Sequence, residues 1–171
     1  MLKKNELLIY NLSKGKVIFL FVYYFFVMLA GGICILKVSG KLMMELEREQ
    51  ILQITFMLSL ASSGMLCSMQ YIKRLYKACL TDRIETCDSD MKEIGNMAYF
   101  LFRPFFAFVF TIVTVFALLS GMFVVTGNLD YILNDKFVYL CMVTACYIGY
   151  SVGKVLDRFE KLSEKKVSNL M

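Results

Sequence analysis

The chain has no histidine, no tryptophan and a single proline, Pro104. Without histidine it lacks the commonest neutral-pH general base and metal ligand, which excludes the usual zinc sites and His-activated nucleophiles. No acid–base carboxylate pair, nucleophile beside a base, or phosphate-cradling glycine loop stands out either. Charge is scarce as well. The runs Val17–Leu36, Gln50–Ile72, Pro104–Leu129 and Phe137–Gly153 contain no Asp, Glu, Lys or Arg. Ionisable groups inside a membrane mark proton relays and ion paths, because each is costly to keep there. Their absence weighs against a proton-coupled transporter. The expectation is a protein that is not an enzyme and takes no metal or cofactor.

What the chain has in place of charge is apolar length. A helical span needs about 20 apolar residues, with roughly 17–25 tolerated, and four runs approach that length. The chain is 58% hydrophobic with a mean hydropathy of +0.62, whereas soluble domains hold about 45–50% apolar residues. The expected fold is an all-α membrane protein of four transmembrane helices. It forms one domain over 1–171, with spans near 17–36, 50–72, 104–126 and 137–156. A connection covers 73–103 and a tail covers 157–171. No soluble domain or internal repeat stands out, so an inverted-repeat transporter has no support.

The basic residues sit at the ends of the runs. The N-terminal segment carries Lys3, Lys4, Lys14 and Lys16. The first loop has Lys37, Lys41 and Arg48 among Glu45, Glu47 and Glu49. The second connection holds Lys73, Arg74, Lys77, Arg83, Lys92 and Arg103, and the third has Lys136 alone. The tail carries Lys154, Arg158, Lys161, Lys165 and Lys166. Rich and poor flanks alternate, which the positive-inside rule converts into cytoplasmic N- and C-termini in a bacterial inner membrane. The net charge of +5 therefore reads as orientation and headgroup contact, with no direct nucleic-acid binding. The first run exceeds a signal-peptide core of about 7–15 residues and lacks an A-x-A site, so it is expected to remain as a span.

Cysteine placement agrees. Cys34, Cys67, Cys141 and Cys146 fall in spans, and Cys79 and Cys87 fall in the cytoplasmic connection, where thiols stay reduced. Residues 1–16 look like an amphipathic lead-in suited to the interface, with a break at Asn11, Ser13 and Gly15. Spans two and four are expected to continue into the cytoplasm as charged helices, through Leu80 and Leu162, with Asp157 and Lys161 paired. Gly95-Asn96 predicts a turn, and Pro104 a helix start.

Small residues recur at helical spacing. Ala145, Gly149 and Gly153 share one face of span four; Ser59 and Ser63, then Gly64 and Ser68, are spaced alike in span two. Such faces allow close backbone approach in lipid. They serve packing inside one bundle or self-association as a homo-oligomer. Gln53, Thr55, Ser59, Ser62, Gln70, Thr111, Thr114 and Ser120 line a wet path or bond within their own and neighbouring helices. The aromatic series Phe100, Phe102, Phe105, Phe106, Phe108 and Phe110 reads as lipid-facing bulk. Lys73, Arg74, Lys77, Arg103, Lys154 and Arg158 collect on the cytoplasmic side, as headgroup contacts or as a docking platform for a cytosolic protein. Asp157, Glu160 and the acidic 82–93 loop would add specificity to docking.

Several segments carry a resemblance: Ser62-Ser63-Gly64 followed by Tyr71-Ile72-Lys73-Arg74-Leu75-Tyr76, then Arg103-Pro104, Gly121, and Gly149 with Gly153-Lys154 and Asp157-Arg158. In these, in size and in layout, the chain resembles small four-span inner-membrane proteins of bacterial anti-phage defence operons, most of all the membrane subunits of the Kiwa type. The resemblance implies an oligomeric membrane subunit that senses perturbation of the bilayer and works with a separate cytosolic, DNA-binding effector. It implies no catalytic residues. The alternative class is a pore or holin-like effector that depolarises the membrane.

Overall fold

A computed structural model describes residues 10–40, 48–80, 84–85, 90–127 and 133–168. Its elements are β1 (Tyr10–Asn11), α1 (Lys14–Ser39), α2 (Arg48–Leu80), β2 (Ile84–Glu85), α3 (Asp90–Leu101), α4 (Arg103–Thr126) and α5 (Asp135–Ser168). The protein is all-helical apart from the two-residue strands, which pair in parallel with Tyr10 opposite Ile84. Four helical stretches are long and apolar enough to cross a membrane: Lys14–Ser39, Arg48–Leu80, Glu93–Thr126 and Asp135–Leu156.

Helix α2 is the hub. It packs against α1, α4 and α5, and α4 also packs against α5. The sequence explains why: Ser59, Ser62, Ser63, Gly64 and Ser68 are all buried on α2, and side chains this small let three neighbours come close. Helices α1 and α4 instead turn Phe25, Phe26, Phe105, Phe116, Val124 and Val125 outward. Lipid tolerates that surface, because its tails are as apolar as the side chains.

The helix ends follow local rules. Ser13 takes the extended N-cap conformation before α1. Asn134 Oδ1 accepts the Phe137 N–H at 3.0 Å and caps the start of α5. Gly127, with φ 66°, closes α4 by donating its N–H to the Phe123 carbonyl at 2.8 Å.

Two expectations are corrected. Gly95-Asn96 forms no turn, because α3 runs straight through it. A helical glycine costs only about 1 kcal/mol, and the packing of Met97, Tyr99 and Phe100 against the core offsets that. The expected break at Asn11, Ser13 and Gly15 ends at Ser13, because α1 begins at Lys14 and runs through Gly15. Tyr10 and Asn11 are extended, and Leu12, 1% exposed, is inserted into the core. Residues 1–9, the loop at 41–47 and, within the acidic 82–93 loop, residues 82–83 and 86–89 lie outside the described residues, as do the side chains of Asp157, Glu160 and Lys161.

Candidate interaction site at the charged end of the bundle

The first turns of α1, the last turns of α2, helix α3 and the later part of α5 meet at one end. Pro104 sets the geometry there. It is the second residue of α4, and having no N–H it leaves the carbonyl four residues earlier, on Phe100, without its helical donor. The Tyr24 hydroxyl, reaching across from α1, donates to that carbonyl. Tyr23 donates to the Leu101 carbonyl beside it at 3.4 Å. The break between α3 and α4 is thus satisfied from the neighbouring helix, as the membrane setting requires.

The tyrosine that makes this bond belongs to a stack. Tyr24 lies nearly parallel to Tyr71, with ring centroids 5.7 Å apart, and Phe100 meets Tyr71 edge-on at 6.0 Å. Two guanidinium groups flank Tyr71: Arg74 at 5.2 Å and Arg103 at 5.8 Å from the ring centroid. Arg103 also sits 3.8 Å from the centroid of Tyr99. Cation–π contacts of this kind let a guanidinium stay out of water.

Lower on the same side, Glu93 joins α3 to the start of α1. Its carboxylate accepts the Ser13 N–H at 2.7 Å and pairs with Lys16 Nζ at 2.7 Å. Hydrogen bonds from Lys16, then from Ser13, hold this carboxyl down to about 2, from an ordinary 4.5. Glu93 is the first residue of the Glu93–Thr126 stretch, so this latch lies at its charged end.

The basic residues separate into two groups. Lys73, Lys77, Lys154 and Arg158 are exposed, and Arg74 is half-buried. Arg103 is 4% exposed, so it is a buried cation inside the aromatic stack and makes no part of the exposed surface. Phe100 likewise departs from its expected lipid-facing place and is fully buried, while Phe102, Phe105 and Phe106 are exposed.

The small residues cluster between α2 and α5. Ala145 and Gly149 are buried, and a Cβ on Gly149 would fall on the Ser63 carbonyl oxygen and within 2.9 Å of Ser63 Cα. Only glycine permits that approach. Gly153 lies against Tyr71 and Arg74, and Gly64 against Phe108. Ser63 donates to the Ala107 carbonyl on α4 at 3.2 Å. The face formed by Ala145, Gly149 and Gly153 is therefore occupied by α2 within one chain. Ala117, which sequence reasoning passed over, and Gly121, singled out only for the resemblance, are exposed small residues four apart on α4.

Among the hydroxyls, Thr55, Thr111 and Thr114 return bonds to carbonyls one turn back, at 2.7 to 2.8 Å. The hydroxyls of Ser59, Ser62, Ser68 and Tyr71, and the Gln70 carbonyl oxygen, are buried with no hydrogen-bond partner among the described residues. Gln53 and Ser120 are exposed. No group of three or more metal-ligating side chains forms among the described residues. Tyr24 and Tyr99 were missed in the sequence, and Glu93 was read only as part of the acidic 82–93 loop. Pro104 was the available signal, since a proline following directly on another helix leaves that helix a carbonyl in need of a donor. No family model, curated protein or solved structure matches the chain.

Proposed function

We propose that this chain is a non-enzymatic, oligomeric subunit of a bacterial inner membrane that recruits or regulates a cytosolic effector when the bilayer is perturbed, in the setting of anti-phage defence. One observation carries the reading. Lys73 and Lys77 on α2, and Lys154 and Arg158 on α5, are exposed on helices that continue past their apolar runs. The two helices pack side by side, with Arg74 against Gly153, so these charges form one platform held beyond the apolar layer. The positive-inside rule assigns that end to the cytoplasm. A basic platform suits an acidic partner surface, speeding encounter and fixing register. Since α2 fills the small face of α5, self-association in this reading passes to the exposed Ala117 and Gly121 on α4.

The test is joint charge reversal of Lys73, Lys77, Lys154 and Arg158 to Glu. Membrane insertion is expected to persist while co-purification with the cytosolic effector is lost. Retained co-purification would sink the docking platform. A Gly121→Leu variant should separately lower the oligomer fraction in mild detergent.

The alternative, a depolarising pore, is favoured by one observation: the hydroxyls of Ser59, Ser62 and Ser68, which have no hydrogen-bond partner among the described residues, run along α2 inside the bundle. Expression of the chain alone discriminates. Growth arrest with dye leakage supports a pore, and harmless expression supports the partner-dependent subunit.

A further inference from the structure

At the charged end of the α2–α5 seam, Tyr71 is fully buried and its hydroxyl has no hydrogen-bond partner among the described residues. The Tyr71 Oη and both Arg74 terminal nitrogens converge on Gly153. They lie 2.7, 3.1 and 3.1 Å from the position a Cβ would take there. A guanidinium has only donors, so Arg74 cannot accept the Tyr71 proton. Tyr71 Oη could accept from Arg74, but it makes no hydrogen bond among the described residues, so its own proton stays without an acceptor beside the Arg74 fork. Lys154, next along α5, is exposed.

We propose that this corner binds a phosphate group, supplied by the headgroup of an anionic phospholipid in the leaflet at the charged end of the bundle. Arg74 presents two parallel N–H groups in the fork that matches phosphate oxygens, and Tyr71 donates a third hydrogen bond from the floor of the corner. Arg74 is half-buried on a flexible stem, so it can meet a phosphate at the surface and draw it down against the hydroxyl. Lys154 and Lys73 raise the local concentration of anions. The apolar run of α2 ends at Ile72, immediately before Lys73 and Arg74, which places the corner at headgroup depth. An acidic peptide from a soluble partner would have to enter the headgroup layer to reach it. A methyl group at Gly153 would press on the Tyr71 hydroxyl and the Arg74 fork and displace them. The proposal rests on the assignment of this end to the cytoplasmic face, but it does not require a protein partner.

Thermal unfolding of the purified full chain in a neutral detergent tests it. The probes are short-chain phosphatidylglycerol, short-chain phosphatidylcholine and inorganic phosphate. Phosphatidylglycerol is expected to raise Tm in a concentration-dependent way, with less effect from phosphatidylcholine and little from inorganic phosphate. Tyr71→Phe keeps the aromatic stack and should weaken the apparent affinity about tenfold, the equivalent of one charge-assisted hydrogen bond. Arg74→Gln and Gly153→Ala should abolish the shift while leaving a cooperative transition without lipid. A phosphatidylglycerol shift that survives in all three variants overturns the site. An equal, variant-sensitive shift with inorganic phosphate overturns the lipid as its source. Reversal of Lys73, Lys77, Lys154 and Arg158 can fail to release a partner while the lipid shift still depends on Tyr71 and Arg74, so the two proposals fall separately.

Discussion

The Tyr24 hydroxyl on α1 donates to the Phe100 carbonyl, the acceptor that Pro104 leaves without a helical partner. A break in one helix is thereby held by a side chain from another. The same tyrosine stacks on Tyr71 of α2, so three helices share one junction.

Removal of this hydroxyl has a defined cost. Tyr24→Phe keeps the ring and leaves a buried carbonyl short of a donor, which costs about 1–3 kcal/mol. Unfolding in detergent should show the loss, and Tyr23→Phe, whose bond is 3.4 Å long, should lose less. Equal losses would mean that Tyr24 acts only as an aromatic filler.

Glycine substitutions should divide by what the new methyl group meets. At Gly149 it meets the Ser63 backbone, which cannot move without separating α2 from α5. Gly149→Ala is expected to cost about 1–3 kcal/mol as an overpacked site. At Gly64 the nearest atoms belong to the Phe108 ring, which can swing toward lipid. Gly64→Ala should therefore fall below Gly149→Ala in the same unfolding assay, and the reverse order would contradict the packing described.

The Glu93 latch should respond to acid. Its carboxyl is held down to about 2, against 4.5 when undocked. Below pH 4.5 the undocked form gains a proton that the docked form refuses. Docking is therefore complete above that pH and is lost as pH falls toward 2. Hydrogen-exchange protection factors in the first turn of α1 should fall across that window. Glu93→Gln should show low protection with no such pH dependence.

The buried hydroxyls of Ser59 and Ser62 distinguish packing from conduction. If they only fill space, Ser59→Ala and Ser62→Ala remove unsatisfied groups and change stability by no more than about 0.5 kcal/mol. A larger loss would show that the hydroxyls have partners in the membrane-embedded assembly, and would strengthen the pore reading.

The four long helices and their approximate limits were legible in the sequence, because charge-free runs near span length have few other uses. The overrun of α2 past Ile72 was legible too, since nothing between Tyr71 and Leu80 breaks a helix. The fate of individual aromatics was not. Phe100 and Phe102 differ little in sequence, yet one is buried and the other exposed, because residues two apart on a helix face nearly opposite sides and the phenylalanine-rich run does not say which side meets the core. Arg103 misled for a related reason: an arginine at the end of a span ordinarily reaches for water, and the neighbouring rings of Tyr99 and Tyr71 supply an alternative that no local pattern announces. Periodicity marked the face of Gly149 as small but could not say which helix fills it.

The rungs that tie α1 to α3 join residues 76 to 80 positions apart: Tyr24 to Phe100, Tyr23 to Leu101, and Ser13 to Glu93. At a translation rate of about 5–20 residues per second, the acceptor for Tyr24 leaves the ribosome on the order of 4–15 s after the tyrosine itself. The hairpin of α1 and α2 is made first and must wait in the bilayer with its tyrosines unmatched until α3 and the break at Pro104 arrive.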